Sequence, residues 1–322
     1  MLISRRMTSS RKWVPTGVYM TRRFDHRAMP LSICLLAMLA APAFGDTIYN
    51  NLTPNNLMAI ATRPDSPGVF EIEAGDDFLL GSQTIINKAS FVGLIVPGVT
   101  GGTPSISEVV AEMYRVFPKD SNTNRTSGPP TFSTPEVPTR VNSPSDVAFV
   151  SRDSAASELT FSTSVLAATF TALNSVKPGG IHMSPLQTTG GNGPLTGQEI
   201  QLNLTFTTPF NLPADHYFFV PQVALTNGGQ FYWLSASRPI SGASTTPFPA
   251  GVTDLQAWTR DANLDPDWLR VGMDIVGGTT PPTFNTAFSL DGTAVPEPST
   301  LLLLGSGLAG VWAWRRKRES AN

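Results

Sequence analysis

The sequence predicts an all-β fold, an antiparallel β-sandwich of jelly-roll-like topology with long Pro- and Gly-rich loops, followed by a short C-terminal hydrophobic helix. Charged residues make up only 14% of the 322-residue chain, against roughly 25% in typical soluble proteins. Glycine and proline are frequent, with 27 and 28 residues, while 41% of the chain is hydrophobic. Several segments also alternate apolar and polar residues with the period of two of a half-buried strand. Coiled-coil, collagen and polytopic membrane classes are excluded.

Residues 1–45 are predicted to be a signal peptide with an over-long basic lead. Several arginines precede an apolar stretch over residues 31–41, and small residues follow up to Gly45. An apolar stretch of about 11 residues is too short to cross a bilayer but fits the hydrophobic region of a secretory signal. Cleavage fits after Ala43 or after Gly45. The strand-like sequence that starts at Asp46 favours the second position.

Composition narrows the chemistry of the exported part. The only cysteine, Cys34, lies within the predicted signal, so the mature protein has no disulfide and no cysteine nucleophile. Residues 46–296 carry 11 Lys or Arg against 21 Asp or Glu, a net charge of −10 that the whole-chain value of −2 hides. Such an acidic, lysine-poor body is not expected to bind nucleic acid, whose phosphates require cations.

Residues 46–294 are predicted to form the sandwich as one domain. The clearest strand spans residues 198–206, where apolar side chains from Ile200 to Phe206 alternate with polar ones. The sequence Asn227-Gly228-Gly229 predicts a hairpin turn, because glycine readily takes the positive φ that such turns need. The other predicted strands cover residues 69–73, 78–80, 84–95, 107–117, 158–173, 216–225, 230–235, 270–276 and 284–290.

Three stretches are longer than ordinary hairpin loops, and long loops in a compact domain are usually functional or disordered. They cover residues 118–144, 174–197 and 238–268. The third is predicted to contain short turns of helix at residues 254–258 and 265–269.

The body contains no sequence motif for catalysis or for a cofactor, so we expect neither an enzyme nor a bound cofactor. A nucleophile elbow, a metalloprotease helix, a phosphate-binding loop and a dinucleotide-binding glycine pattern are all missing. His182 and His216 are the histidines that follow the predicted signal, and each is expected to be a hydrogen-bonded structural residue. A serine–histidine triad without a local signature stays open.

The acidic loop around Asp261, Asp265 and Asp267 is a weak candidate for a metal site. Its carboxylates are spaced by two to four residues, and calcium binds six to eight oxygens. The order of residues lacks the pattern of an EF-hand. We favour a simpler interpretation, in which Asp265 caps a short helix that has Pro266 at its first position. The Asp76-Asp77 pair is expected at a solvated strand edge.

The aromatic residues of the body allow two interpretations. Trp233, Trp258, Trp268, Tyr217 and Tyr232 would suit a platform that stacks on sugar rings. We expect packing in the core to explain most of them. Paired carboxylates of a glycoside hydrolase would have to face each other across a cleft, which sequence spacing does not reveal.

Residues 295–322 carry the strongest signal in the chain, built from three consecutive elements. Pro296-Glu297-Pro298 comes first, and a stretch of 14 apolar or small residues follows. The stretch begins with Leu301, Leu302, Leu303 and Leu304 and ends with Trp312 and Trp314; the basic residues are Arg315, Arg316, Lys317 and Arg318. As a helix the stretch would be about 21 Å long, shorter than the roughly 30 Å hydrocarbon core. Its tryptophans can lie at the membrane–water interface and its cations on the cytoplasmic side. The stretch therefore predicts a short transmembrane helix that forms a weak membrane anchor and can be removed.

This tail resembles the PEP-CTERM sorting signal of exported bacterial proteins. The resemblance covers about 25 residues, and it is specific because the tripeptide, the apolar stretch and the basic end occur in fixed order. It implies recognition near Pro296-Glu297-Pro298 by an exosortase-type membrane protease or transpeptidase, removal of the tail, and delivery to the surface or extracellular matrix of a Gram-negative bacterium.

We therefore predict an exported surface or exopolysaccharide-matrix protein with a structural or adhesive role. The alternatives are a carbohydrate-binding module or a carbohydrate-active enzyme on the same architecture. An open cleft lined by two facing carboxylates and a tryptophan would favour the enzyme. A filled sandwich with polar faces would favour the matrix role, and an exposed coplanar tryptophan pair would favour glycan binding.

Overall fold

A computed structural model of the chain describes residues 46–98, 102–124, 142–182, 188–237, 254–295 and 298–320. The predicted signal peptide, including Cys34, lies outside these residues, as do parts of the three predicted loops. The described chain forms two β-sheets and one C-terminal α-helix, which confirms the predicted all-β, sandwich-like class.

Fifteen strands and one α-helix make up the described body and tail. The strands are β1 Asp46–Asn50, β2 Pro54–Ala61, β3 Ile72–Leu80, β4 Thr84–Val96, β5 Ile106–Arg115, β6 Val150–Asp153, β7 Leu159–Ala172, β8 Asn174–Val176, β9 Leu195–Leu212, β10 Asp215–Leu225, β11 Gln230–Ala236, β12 Trp258–Asp261, β13 Leu269–Arg270, β14 Asn285–Thr286 and β15 Phe288–Ala294. The helix α1 is Pro298–Glu319.

The first sheet has nine strands and the second has six. In the first, the order β1-β15-β4-β11-β2-β8 is extended by β9, which pairs with β4, by β7, which pairs with β9, and by β14, which pairs with β11. The second sheet has the order β13-β12-β3-β10-β5-β6. The β2–β8 pair is parallel, and the other pairs among these strands are antiparallel.

Aromatic rings fill the space between the sheets. Phe219 on β10 lies with its ring centre 6.2 Å from Phe91, 6.0 Å from Trp233 and 5.4 Å from Phe288, all three on the first sheet. These four side chains are fully buried. The indole N–H of Trp233 donates to the carbonyl oxygen of Ala287 at 3.0 Å, so even the polar atom of this ring has a partner.

The predicted hairpin turn is confirmed. It joins β10 to β11, with φ of 57° at Asn227 and 67° at Gly228, and the N–H of Gly229 donates to the oxygen of Thr226 at 3.1 Å. Two consecutive residues with positive φ form the type I′ turn, whose twist matches that of the flanking strands.

Three local predictions around residue 265 are wrong. The helical turn expected at residues 254–258 and the one expected at 265–269 do not form, and β12 and β13 occupy part of these segments. The strand expected at 270–276 ends at Arg270 and gives way to a π-helical turn, Val271–Val276. Asp274 explains the change, because its Oδ2 accepts the backbone N–H of Arg270 at 2.7 Å and closes the chain locally.

Candidate functional site

The C-terminal signal follows the last strand without a linker. Beyond β15 the backbone N–H of Val295 still donates to the carbonyl oxygen of Gln83 at 2.7 Å. Pro296-Glu297, the centre of the predicted processing signal, lies outside the described residues. The backbone is helical from Pro298, three residues earlier than predicted. Proline suits a first helical position because the N–H it lacks would have no partner there.

The far end of α1 combines aromatic rings with cations. The guanidinium carbon of Arg316 lies 4.4 Å from the ring centre of Trp312, and that of Arg318 lies 4.2 Å from Trp314. These are i, i+4 pairs at cation–π distance, so each ring and its cation lie on the same face of the helix, one turn apart. All four basic residues at this end are exposed: Arg315, Arg316, Lys317 and Arg318. The described part does not include the side chains of the four leucines Leu301, Leu302, Leu303 and Leu304.

Within the described residues, none of the helices has the length and apolar content needed to cross a bilayer, and the predicted transmembrane helix is not confirmed.

The loop between β12 and β13 is closed by Asp261 and not by Asp265. Oδ1 of Asp261 accepts the backbone N–H groups of Asn263 and Leu264, both at 3.0 Å. Asp265 instead forms an ion pair with Arg260, with 2.9 Å between Oδ1 and Nη1. The predicted helix cap at Asp265 is therefore wrong: no helix follows, and the peptide bond to Pro266 is cis.

The three aspartates considered for calcium differ in their exposure. Asp261 and Asp267 are buried, while the side chain of Asp265 is 54% exposed. In the part of the chain that the structure describes, their carboxylates do not form a shared group of oxygens. Calcium needs several converging oxygens, and this loop does not assemble them.

The prediction that Asp76 and Asp77 lie at a solvated strand edge is wrong. Both residues are completely buried on β3. Oδ2 of Asp76 accepts the N–H and the hydroxyl of Thr286, at 2.6 and 3.0 Å, and so ties the two sheets together. Oδ1 of Asp77 accepts the backbone N–H groups of Leu255 and Gln256, both at 3.1 Å. Buried carboxylates persist because these donors replace water.

His216 also has a structural partner. Its Nε2 lies 2.6 Å from Oδ2 of Asp77, so the pair fixes the end of β10 against β3. Neither ring nitrogen of His182 has a hydrogen-bond partner within the described residues. The expectation of a hydrogen-bonded residue is thus confirmed for His216 alone.

Four charged side chains and a tyrosine, none of them marked by a sequence motif, converge on the second sheet. They come from β3 and the residue before it, from β5 and from β12. We call the set the carboxyl network; its members are Glu71, Glu73, Glu112, Tyr114 and Arg260. One oxygen from each of its three carboxyl groups lies within 4.8 Å of the other two. Because the neighbours of Glu73 along β3 are core residues, strand alternation places the network on the outer face of the sheet.

Direct hydrogen bonds connect the carboxyl network. The Tyr114 hydroxyl lies 2.6 Å from Oε1 of Glu73 and 3.3 Å from Oε2 of Glu112. Arg260 donates through Nε to Oε2 of Glu73, and through Nη2 to the Tyr114 oxygen at 2.9 Å. Both oxygens of Glu73 are therefore occupied, and a guanidinium already supplies the positive charge that a metal ion would bring.

Burial and crowding of like charges dominate the electrostatics of this network. Burial, followed by repulsion from Glu73 and Glu71, raises the pKa of Glu112 to about 8. Burial and Glu73 also raise the pKa of Glu71 above its ordinary value, although the Gln222 side chain partly offsets this by donating to it at 2.8 Å. Burial alone would lower the pKa of Arg260, but the adjacent Glu73 raises it above the usual value.

A second, smaller apolar cluster covers the network. It consists of Tyr114, Phe218, Val220, Leu255, Trp258 and Trp268. Trp268 lies in the loop before β13, with its ring centre 4.4 Å from the guanidinium carbon of Arg260, and its N–H donates to the oxygen of Ser145 at 3.1 Å. The outer face of the second sheet is thus partly covered by loops and is not simply exposed to water.

The aromatic residues considered for sugar stacking are all in packed positions. Trp233, Trp258, Trp268, Tyr217 and Tyr232 are each at most 4% exposed. Their burial confirms the expectation that packing explains them, and none presents a ring face to solvent.

The sequence did contain a faint signal for the carboxyl network. Glu71 and Glu73 lie on either side of the apolar Ile72. In the same way, Glu112 and Tyr114 lie on either side of the apolar Met113 in β5. Each pair therefore had to share one face of its strand. What the sequence did not contain was the pairing of β3 with β10, and of β10 with β5, that brings the pairs together.

Comparison with known proteins identifies the tail alone. A family model of the PEP-CTERM protein-sorting motif matches residues 294–318. Comparison with curated proteins and with solved structures finds no match for the chain. The C-terminus of this protein thus carries a PEP-CTERM protein-sorting motif, which indicates export and sorting by an exosortase.

Proposed function

We propose that this protein is delivered to the surface or exopolysaccharide matrix of a Gram-negative bacterium and has a structural or adhesive role there. The observation that carries the proposal is the sorting motif over residues 294–318. An N-terminal signal peptide over residues 1–45 would start export. An exosortase-type protease or transpeptidase would then remove the C-terminal tail.

We further propose that α1 holds the protein transiently at the inner membrane before processing. The ring–cation pairs at its basic end support this role, because tryptophan and arginine both favour the membrane–water interface. Its 14 apolar or small residues would span about 21 Å, less than the hydrocarbon core, so the attachment would be weak and reversible by cleavage.

For the body we propose a non-enzymatic role. The filled aromatic interior supports it, as does the carboxyl network, where Glu73 contacts Tyr114 and Arg260 and is only 3% exposed in its side chain. A glycoside hydrolase would need two carboxyl groups that can reach a sugar from opposite sides. The proposed location suggests exopolysaccharide as the partner. The exposed strand β7, Leu159–Ala172, would be a surface that contacts it.

The processing step is tested by replacing Pro296-Glu297-Pro298 with three alanines in the full-length protein in its native host. We expect the unprocessed variant to stay in the membrane fraction, because the protease no longer recognises it. The matched control is Glu319→Ala, which removes a charge outside the matched motif and should leave processing unchanged. Neutral replacements of the basic residues 315–318 should instead weaken membrane retention and orientation.

Mass spectrometry of the exported protein gives the decisive measurement. We expect a mature form that lacks residues 301–322. A mature C-terminus that still contains Trp312 and Trp314 would overturn the processing proposal.

The adhesive role is tested separately by sedimenting the mature protein with exopolysaccharide of the host. Lack of binding would contradict this role.

A further inference from the structure

The carboxyl network has more negative than positive groups. Among the residues that the structure describes, Glu71, Glu73 and Glu112 face one guanidinium, that of Arg260. Asp265 binds the opposite side of Arg260 and so adds a further negative charge. On β10 the facing side chain is the uncharged Gln222, which donates to Glu71 at 2.8 Å.

Hydrogen bonds within the network leave Glu112 in the weakest position. Arg260 donates to Glu73, and the Tyr114 hydroxyl, 2.6 Å from Glu73, is 3.3 Å from Glu112. A hydroxyl has one proton to donate, and the short contact with Glu73 takes it. An ionised Glu112 would therefore sit beside another carboxylate without a strong donor, which is costly in a partly buried place.

Arg260 connects this charge balance to the covering loop. Its Nη1 donates to the backbone oxygens of Asp146 and Pro266, at 3.0 and 3.2 Å, and its guanidinium lies against Trp268. The same side chain thus holds the sheet, the loop between β12 and β13, and the segment before β6. A change of charge at Glu112 reaches Arg260 through Tyr114, whose hydroxyl lies between the two side chains.

We propose that a proton on Glu112 is a structural part of the outer face, and that its loss at alkaline pH loosens the loop between β12 and β13. An exported protein meets the pH of its surroundings. The network would therefore make the packing of this loop depend on external pH, a property that the sorting function does not require.

The direction of the effect follows from proton linkage. The pKa of Glu112 is about 8 in the folded protein, against an ordinary value of 4.5. Between these values the folded state holds a proton that the unfolded state has lost, so stability falls as pH rises through this window and levels off above about 8. Glu71 and Asp274, whose pKa values are also raised by burial, act in the same direction.

The test compares wild type, Glu112→Gln and Asp65→Asn as full-length proteins. Glu112→Gln mimics the protonated side chain, while Asp65 is an exposed carboxylate whose removal provides the matched control. Melting temperature is measured from pH 5.5 to 8.5. We expect the wild type and the control to lose several degrees over this range. Glu112→Gln should lose clearly less, equal the wild type at pH 5.5 and melt above it at pH 8.5.

Hydrogen exchange gives a second readout that does not depend on global unfolding. Amides of residues 261–270 should lose protection in the wild type at pH 8.5, after correction for the intrinsic pH dependence of exchange, while those of β11 keep theirs. Glu112→Gln should keep loop protection at both pH values. A melting temperature that is flat or rises with pH would overturn the proposal, as would a variant that follows the wild-type slope. Recovery of the wild type at pH 8.5 by millimolar calcium, abolished in Glu112→Gln, would also overturn it and would identify a cation site instead.

Discussion

The sandwich interior and the carboxyl network on the outer face of the second sheet both contain deeply buried side chains, but different forces hold them. In the interior, Phe219 and Trp233 pack ring against ring, and the free energy comes from removing apolar surface from water. On the outer face, Glu73 and Arg260 are also buried, with side chains 3% and 5% exposed. Their burial is tolerated because each group supplies the opposite charge that the other needs. Burial alone therefore does not say how a region will respond to substitution or to pH.

The largest effect should come from breaking the interior. Trp233→Ala removes a fully buried ring from contact with Phe91, Phe219 and Phe288. We expect a loss of about 5 kcal/mol in the free energy of unfolding, at the upper end for such truncations. Urea denaturation measures it. Trp233→Phe keeps an aromatic ring and should cost much less, and equal losses for the two variants would contradict this account of the interior.

The outer face should show its different character in a double-mutant cycle. Arg260→Leu leaves the buried Glu73 without its cation, and we expect a loss of about 4 kcal/mol. Adding Glu73→Gln removes the stranded charge, so the double variant should be more stable than Arg260→Leu alone. Purely additive losses would show that the pair contributes through packing and not through charge. The corresponding cycle of Trp233 and Phe288 should show no such rescue.

The smallest effects should separate the two aspartates of the covering loop. Asp261→Ala removes the acceptor of two backbone N–H groups and should cost about 1 to 2 kcal/mol, the usual range for a lost cap. Asp265→Ala removes an ion pair whose carboxylate is half exposed and should cost less than about 1 kcal/mol. Thermal unfolding of both variants checks the order. A larger loss for Asp265→Ala would contradict these roles of the two aspartates.

Sequence patterns predicted several long strands well, because alternation over many residues is a strong signal, although β9 extends beyond the predicted residues 198–206 at both ends. The predicted strand at 84–95 became β4, and the one at 158–173 became β7, each within one residue at both ends. Shorter elements failed for a physical reason. β12, only four residues long, takes its structure from pairing with β3, and a contact so distant in sequence has no local pattern.

The candidate sites divide in the same way. The tail motif was predictable because its recognition depends on consecutive residues at positions 294–318. The buried state of Asp76 and Asp77 was not, since their partners Thr286 and Leu255 are more than 170 residues away. An acidic pair was expected to be solvated, and only tertiary structure supplies the donors that make its burial tolerable.

The position of β15 has a mechanical consequence for a protein handled by its C-terminus. Residue Val295, still hydrogen bonded to Gln83, is the last described residue before the processing signal, so a force on the tail enters the body along this strand. β15 lies between β1 and β4, with antiparallel ladders on both sides. Because such hydrogen bonds run perpendicular to the strands, tension along β15 loads both ladders in shear, all at once, instead of opening them one bond at a time. The body is thus attached to its tail through a strand that is held by hydrogen bonds on both sides.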